Sequence, residues 1–367
     1  MPVYYPIIKK VTGGGGGSME GFHMVRFFND DRTTLLYTVF VPDGSSAMYA
    51  GETPVSATDG VVFTGFEPSP VNVTADFDCY AVYEGVGTLD ETPWAIISKL
   101  SADGTAQNYF AVGDTKMIHI EGTVGTIAVN GDYGVYIIGF DHNEELEGKG
   151  IHFGTFKTAL SNGVNVALLD SAYDTEQYGS KYFNINHWSG KPYGRWAACD
   201  LRYDVLGSTN VEPSGYGASP TTDRVGYDPT ENCATNPVAG TLMSALPADL
   251  REVMTPMTKY TNNGSEGNGA TGQVTATLEY LPLLAEFEFF GVYKAADVNE
   301  QKYQKQYAYF AEGADKKYSH SNNSTLVRWW SRSCEGGSTS SWSYFNSTAH
   351  GTYGKNKSLG ISPIFKV

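Results

Sequence analysis

Residues 329–367 read WWSRSCEGGSTSSWSYFNSTAHGTYGKNKSLGISPIFKV. Apolar side chains crowd both ends of this stretch, at residues 329–330 and 359–365, whereas Gly, Ser, Thr, Asn, Tyr and Lys fill the middle. Adaptable hydrogen-bonding side chains between aromatic anchors are typical of binding loops. The stretch therefore predicts a recognition surface fixed at both ends to a rigid frame. A disordered segment or a merely exposed β-hairpin is the alternative, and the spaced aromatic residues argue against disorder.

The composition of the whole chain limits the class of protein. Among 367 residues, 41 % are hydrophobic and only 18 % are charged, with 42 glycines and 25 tyrosines. Such a balance suits turn-rich β structure, and the length predicts two or three domains. The formal net charge is -15, and the longest basic run is a pair of lysines. Because a nucleic-acid surface needs a basic patch, we expect no nucleic-acid partner.

The cysteines and the apolar windows exclude further classes. Cys79, Cys199, Cys233 and Cys334 are too widely spaced for a paired metal motif and predict buried free thiols. No window approaches the 18 apolar residues of a membrane span, so we expect no membrane insertion. In the first ten residues the charges follow the apolar run, which is not the order of a signal peptide. The expectation is a protein that stays in the cytoplasm or leaves inside a virus particle.

The organisation along the chain begins with an unusual arm. Residues 1–12 are an apolar, strand-like tag, and residues 13–17 are five glycines, which cannot hold one conformation. A tag on a tether predicts an attachment arm, and a poorly ordered terminus is the alternative. We predict four segments: a tag and linker at 1–21, a β-rich module at 22–84, a linker at 85–93, and a large domain at 94–367.

The module at 22–84 predicts four strands, at residues 22–28, 35–41, 61–66 and 71–83, separated by turn residues. It resembles the InlB B-repeat (Listeria–Bacteroides repeat) family of small β-grasp-like modules, although Phe66 stands where that family usually has Trp. The resemblance implies a spacer or a weak binding unit. It rests on the turn Asn29-Asp30-Asp31, Val41 with Gly44, Pro54, Phe63-Thr64-Gly65-Phe66, Val73-Thr74-Ala75-Asp76 and Ala81-Val82-Tyr83.

The large domain mixes helical and strand patterns. Residues 135–140 predict a buried strand. The same reading predicts helices at residues 94–100, 153–160, 241–254 and 298–310, with Pro247 opening the second half of the third.

Residues 94–367 resemble the DUF6273 family of phage and gut-bacterial surface proteins. The segments that carry the resemblance are Val112-Gly113-Asp114-Thr115-Lys116, Gly139-Phe140-Asp141-His142-Asn143, Ile151-His152-Phe153, Tyr182-Phe183-Asn184, Leu246-Pro247, Leu281-Pro282-Leu283-Leu284-Ala285-Glu286, Trp330-Ser331-Arg332-Ser333 and Gly360-Ile361-Ser362-Pro363-Ile364-Phe365. That family is related to the C-type-lectin-like folds of formylglycine-generating-enzyme-like proteins and of variable proteins of diversity-generating retroelements. The implied fold class is α+β, with a C-type-lectin-like domain after the β-grasp-like module. Cys334 departs from the family, which often has Pro there.

The resemblance also implies roles for residues in the last stretch. Trp330, Arg332, Ser333, Gly360, Pro363 and Phe365 would be scaffold, and Arg332 would donate to backbone carbonyls in the core. The candidate ligand-binding residues, with Trp342, Tyr344 and Tyr353 as anchors, are Ser331, Glu335, Trp342, Tyr344, Asn346, His350, Tyr353, Lys355 and Asn356.

Catalytic and metal chemistry find little support in the sequence. The cluster at 141–145 could hold Ca²⁺, but it lacks EF-hand spacing, so a solvated turn is favoured. Glu286 and Glu288, placed on a strand or turn, could serve a glycosidase, yet such pairs are common. No motif of a known nucleophile, zinc site or phosphate loop occurs. We therefore expect no enzyme, no catalytic residue, no metal and no cofactor.

These observations together predict a phage virion protein, a tail or head fibre for receptor binding or adhesion. Residues 1–12 would bind other virion proteins, and the C-terminal domain would bind a host-surface or mucosal glycan or protein. A homo-oligomer, preferably a trimer, would turn weak contacts into stable adhesion. The alternatives are a non-catalytic capsid or tail decoration protein and a bacterial surface adhesin.

Overall fold

The chain divides into two compact units, Met1–Val86 and Gly87–Val367, and the boundary falls within the expected 85–93 linker. The expected tag and glycine tether lie outside the described residues. The computed structural model describes residues 21–58, 60–160, 163–177, 181–185, 195–209, 233–262, 274–293, 296, 298–311, 318–320, 326–335, 341–345, 350–354 and 356–367.

The first unit is a four-stranded sheet. Its spatial order is β2-β1-β4-β3, with β1 parallel to β4 and the other pairs antiparallel. The fourth strand begins later than predicted, since residues 71–76 contribute only an isolated bridge between Ser45 and Val73. The bounds are β1 Phe22–Phe28, β2 Leu35–Pro42, β3 Val61–Glu67 and β4 Phe77–Gly85.

The core of the first unit forms on one face of this sheet. Phe27 is fully buried, and its ring meets that of Phe66 at 4.7 Å and that of Tyr49 at 5.4 Å. Val25 and Cys79 are also fully buried beside it. Phe66 is therefore one of the aromatic rings of this core.

The second unit is mixed α+β and centres on a six-stranded sheet of order β11-β8-β7-β6-β5, with β15 paired to β7. The α+β class predicted from the sequence is confirmed. A hairpin of β9 and β10 and a three-stranded meander, β12-β13-β14, accompany the central sheet. The bounds are β5 Thr115–Val124, β6 Ile127–Phe140, β7 Ile151–Lys157, β8 Asn165–Ala167, β9 Met257–Asn262, β10 Val274–Glu279, β11 Tyr318–His320, β12 Trp329–Cys334, β13 Ser341–Phe345, β14 His350–Gly354 and β15 Ile364–Lys366.

The prediction of a helix at 153–160 is wrong, because most of that segment is β7. All seven residues of β7 are buried, between β6 on one side and β15 on the other. A continuous apolar run carries no period that separates a buried strand from a buried helix. Gly154 packs closely against the ring of Tyr136, where a Cβ would lie 2.8 Å from the ring, so this position of β7 requires a residue without a side chain.

The helices are short and lie around the sheets. Predicted helix 241–254 exists as two pieces, α3 and α4, which separate at Pro247, and Thr241 and Ser244 cap the first piece reciprocally. The prediction of a single helix at 298–310 is wrong. This segment forms a 3₁₀ helix, Val298–Tyr303, and, after four residues, a separate helix, α6. The bounds are α1 Trp94–Ala102, α2 Glu144–Glu147, α3 Leu242–Ala245, α4 Ala248–Val253, α5 Glu286–Phe290 and α6 Ala308–Ala311.

One aromatic core joins the central sheet to the C-terminal meander. Tyr136 of β6, Phe289 of α5, Trp329 of β12 and Phe345 of β13 are all buried in it. The Phe289 and Phe345 rings stack at 4.7 Å. The meander is therefore mounted on the body of the unit through apolar burial. Within the described ranges, no helix has both the length and the apolar character needed to cross a membrane.

Candidate functional site

The two apolar ends of the C-terminal stretch meet each other. Trp329 of β12 bridges Gly360 in parallel register, and the Trp330 amide donates to the Gly360 carbonyl at 3.0 Å. The Trp330 indole donates to the Phe183 carbonyl at 2.9 Å. The residues assigned to the scaffold, Trp330, Arg332, Ser333, Gly360, Pro363 and Phe365, are all buried. The frame predicted around the polar stretch is therefore present.

Arg332 anchors this frame through a buried ion pair. Its guanidinium donates to both carboxylate oxygens of Glu288, at 2.5 and 2.8 Å, and to the Leu283 carbonyl at 2.9 Å. Neither Arg332 nor Glu288 has any exposed surface. The expected carbonyl contact is confirmed, and the bidentate carboxylate is an addition that the sequence did not show.

A lysine extends the pair into a network. The Lys259 ammonium donates to Glu147 at 2.6 Å, to Glu288 at 2.9 Å and to the Tyr307 hydroxyl at 2.9 Å. Arg332 and Lys259 hold the pKa of Glu288 below its ordinary value, whereas burial raises that of Glu147. Two cations thus balance two carboxylates inside the protein, which is the condition for tolerating buried charge.

The donor atoms of His142, Glu147 and Glu288 lie within 4.8 Å of one another, as metal ligands would. The Lys259 ammonium already binds both carboxylates. Burial and Lys259 lower the pKa of His142 to about 3, and its ring stacks on Tyr307 at 3.6 Å. A divalent ion would have to displace Lys259 and would lie beside the positive charge of Arg332. We therefore assign this cluster a structural role and not a metal-binding one.

The cluster predicted at 141–145 does not converge on one point. Asn143 is buried and donates to the Tyr303 carbonyl at 2.9 Å, whereas Glu144 is exposed and lies 3.7 Å from Lys149. The Asp141 carboxylate accepts from the Gly150 amide at 2.9 Å. These side chains serve different neighbours, so the arrangement is a structured turn and not a set of ligands.

The carboxylates considered for a glycosidase also belong to the core. Glu286 and Glu288 lie on α5, not on a strand or turn, and both are fully buried. Glu286 accepts from the Ala296 amide at 2.8 Å. Glu300 accepts from the Asn262 amide and the Ser333 hydroxyl, and burial raises its pKa to about 7. None of these three side chains faces solvent, where a polysaccharide would have to bind.

The exposed chemistry of the meander is aromatic and cationic. Tyr344 of β13 and Tyr353 of β14 stack with ring centroids 5.2 Å apart and an interplanar angle of 30°. The Arg328 guanidinium lies 5.7 Å from the first ring and 5.1 Å from the second, and it donates to the Tyr353 hydroxyl at 2.8 Å. Both tyrosines are partly exposed. A charge over two rings makes a firm platform.

Two residues from a distant part of the sequence complete this surface. Asp174 binds Arg328 with both carboxylate oxygens at 3.2 Å, and the Tyr173 hydroxyl accepts from the Arg328 amide at 2.9 Å. We call Tyr173, Asp174, Arg328, Tyr344 and Tyr353 the tyrosine–arginine patch. Sequence reasoning missed Tyr173, Asp174 and Arg328. Of these three residues, only Arg328 could have been suspected from the sequence, because it stands two residues before Trp330.

The structure places the predicted ligand-binding residues in three groups. Tyr344, Tyr353, Glu335 and Asn356 are partly exposed. Ser331 is a correction: it is fully buried, and its hydroxyl contacts Ser333 at 3.2 and 3.3 Å, because every residue of β12 faces the interior. Trp342 lies in β13 opposite Tyr353, and His350 lies in β14 opposite Phe345, but their side chains are outside the described set, as are residues Asn346 and Lys355.

The cysteines are buried free thiols, as expected. Burial raises the pKa of Cys79 to about 11 and that of Cys233 to about 12. A thiol held protonated is a poor nucleophile and a poor metal ligand. No disulfide joins Cys334 to Cys199 or Cys233.

Comparison with known proteins gives no match to a family model, to a curated protein or to a solved structure. The resemblances described from the sequence remain predictions. The geometry of the meander and of the cavities is therefore the basis for the functional proposals.

Proposed function

We propose that this chain is an adhesion or receptor-binding protein of a phage virion, and that the tyrosine–arginine patch contacts the receptor. The observation that carries the proposal is the partly exposed Tyr344–Tyr353 stack on a meander whose first strand is fully buried. Rigid aromatic side chains offer large contact area at low entropic cost, and Tyr and Arg are enriched among residues that dominate binding energy.

The physical design supports recognition better than catalysis. Glu288 and Glu300, two carboxyl groups with strongly shifted pKa values, are buried and bonded to protein partners. The patch, in contrast, has its polar and aromatic groups at the surface. A receptor that carries hydroxyl and apolar groups together, as a glycan or a polar protein surface does, is its natural complement.

The delivery part of the proposal rests on the sequence. The apolar tag at 1–12 and the glycine tether would attach the chain to other virion proteins, leaving the second unit free to meet a cell. A trimer would present three patches, and multivalency would raise weak affinity by orders of magnitude.

The proposal is tested with the full chain, fluorescently labelled and applied to a panel of gut-bacterial cells and to mucin-coated surfaces. We expect the double variant Tyr344→Ala, Tyr353→Ala to lose at least tenfold in binding to whichever surface retains the parent protein. The matched control is Tyr303→Ala, which removes one ring of a different stacked pair, Tyr260 with Tyr303, 4.4 Å apart. Equal binding by the double variant and the parent protein would refute the role of the patch.

The runner-up function, a decoration protein without receptor contact, gives the opposite result. It expects no binding to either surface and unchanged adsorption of particles that carry the double variant. A bacterial surface adhesin would bind through the same patch, and it is distinguished by the location of the chain. Immunolabelling should find it on purified particles if the virion proposal is correct and on the cell envelope if the alternative is correct.

A further inference from the structure

The second unit contains a large cavity away from the tyrosine–arginine patch. Its volume is about 1020 Å³, which is the size of pockets that hold small ligands. Four parts of the chain line it, and their described residues there are Gly87, Thr88, Leu89, Asp90, Tyr109, Gly113, Asp114, Thr115, Lys157, Leu160, Gly163, Val164, Asn165 and Tyr309. The cavity thus lies where the end of β7 and the start of β5 meet the segment before α1.

One lysine at this cavity is buried without an opposite charge beside it among the described residues. Lys157, the last residue of β7, is only 7 % exposed. Its ammonium lies 4.2 Å from the ring centre of Tyr136 and 5.1 Å from that of Tyr309. It pairs with no carboxylate of the described residues. A buried charge without an opposite charge is rare, because desolvation is then uncompensated.

The ammonium of Lys116, in contrast, has hydrogen-bond acceptors. It donates to the carbonyls of Asp90 and Thr92 at 2.7 and 2.9 Å. Among the described residues, the Lys157 ammonium faces the rings of Tyr136 and Tyr309, and burial lowers its pKa to about 8. The difference marks Lys157 as the group in this cavity that would gain most from a bound anion.

The remaining lining is polar and aromatic. The Asp90 carboxylate accepts from the Met117 amide at 2.7 Å, and that of Asp114 accepts from the Ala111 amide at 2.9 Å. Thr88 and Thr115 add hydroxyls, and Tyr109 and Tyr309 add rings. Among the lining residues that the structure describes, Lys157 is the only cation, so a ligand anion would pair there, away from the two amide-bonded aspartates.

We propose that this cavity binds a small polyhydroxylated carboxylate, of the class of sugar acids, whose carboxylate pairs with Lys157. The hydroxyls of such a ligand match the carboxylates and threonines of the lining. Its C–H face matches the exposed tyrosine rings, because aromatic faces pack against polarised C–H groups. The site is independent of the proposed function, since it shares no residue with the tyrosine–arginine patch.

Calorimetric titration of the full chain with galacturonic acid, glucuronic acid and N-acetylneuraminic acid tests the proposal, with galactose and glucose as neutral counterparts. We expect at least one acid to bind at least tenfold more tightly than the neutral sugars. Lys157→Met should remove that preference, whereas Lys149→Met, which removes an exposed lysine outside the cavity, should keep it. Melting temperatures verify that both variants are folded, and Tyr309→Leu provides a second cavity variant that should weaken binding with Lys157 in place.

Proton uptake gives a readout specific to Lys157. A bound carboxylate stabilises the charged ammonium and raises its pKa, so binding at pH 8 should take up a fraction of a proton. Titrations in buffers of different ionisation enthalpy measure this fraction, and Lys157→Met should abolish it. The other titratable groups at the site, Asp90, Asp114, Lys116, Tyr109, Tyr136 and Tyr309, are present in both proteins.

Binding of the acids no tighter than the neutral sugars, or binding unaffected by Lys157→Met, overturns the proposal. Binding lost in Lys157→Met but retained in the double tyrosine variant separates this site from the patch.

Discussion

At the residue scale, Arg332 shows how one side chain ties the C-terminal stretch to the body of the unit. It lies on β12 and reaches Glu288 on α5 with two hydrogen bonds and no exposed surface. Lys259 of β9 shares the same carboxylate. Removing any one member leaves a buried charge unbalanced, so this network fixes which elements pack together.

We expect Arg332→Met to destabilise the protein by about 3–5 kcal/mol, because Glu288 is left buried without its main partner. Denaturant unfolding followed by circular dichroism measures the loss. The control is Lys99→Met, which breaks the partly exposed pair with Asp103 at 3.1 Å and should cost less than about 1 kcal/mol. The double variant Glu288→Gln, Arg332→Met should recover part of the loss. Equal effects of Arg332→Met and Lys99→Met would contradict the assignment.

A second residue-scale prediction concerns pH. Burial raises the pKa of Glu300 from 4.5 to about 7, so the folded state binds this proton more tightly than the unfolded state does. The stability contributed by protonated Glu300 is therefore complete below pH 4.5 and is lost as the pH rises to about 7. We expect Glu300→Gln to remove this decline. Unfolding free energies of both proteins between pH 4.5 and 8 should diverge as the pH rises, and parallel curves would disprove the shift.

At the element scale, the meander has an interior first strand, β12, and its later strands, β13 and β14, carry the partly exposed rings of Tyr344 and Tyr353. Pairing places Tyr344 opposite Gly351, and the tyrosine ring fills the space that a Cβ on Gly351 would need, with Cε1 at 2.7 Å. The glycine therefore lets the ring lie flat across β14 toward Tyr353. This local fit explains why a Gly-rich sequence carries an ordered aromatic pair.

Gly360 is the corresponding point on the frame, where the chain passes between Ala167, Leu169 and the Arg328 carbonyl. A Cβ there would lie 2.8 to 3.1 Å from those groups, none of which can move freely. We expect Gly360→Ala to destabilise the protein by about 1–3 kcal/mol through overpacking. Gly131→Ala is the matched control, because its nearest neighbour is the Tyr133 ring at 3.5 Å. Thermal unfolding compares the two, and an equally small effect would show that the frame is looser than described.

At the scale of the whole molecule, each unit has its own sheet and its own core. No described strand is shared, since β1 to β4 pair only with one another. Phe27 is at the centre of the first core, with no exposed surface. We expect two calorimetric transitions, and Phe27→Ala should destabilise only one of them, by about 3–5 kcal/mol. A single transition, or a shift of both, would contradict independent folding.

The sequence by itself determined the first three strands of the first unit, the α+β class and the buried frame of the last stretch, whereas it placed the start of the fourth strand six residues too early. These features depend on local patterns: alternation, turn residues, and apolar runs at fixed places. It failed at β7, where a uniformly buried run has no period, and at residues 298–310, where a helical pattern breaks before α6. Both failures have one cause, since the neighbours that decide the conformation are distant in sequence.

Only the tertiary structure decided which chemistry the frame carries. Ser331 was predicted at the surface but is buried, because both faces of β12 are covered. The tertiary structure brought Tyr173 and Asp174 to Arg328 across more than 150 residues of sequence, and it left Lys157 at a cavity facing two tyrosine rings. Charge pairing and desolvation depend on distances of a few ångströms, which residue order does not encode directly. The composition of the last stretch therefore predicted a binding surface, while folding decides which of its side chains are exposed.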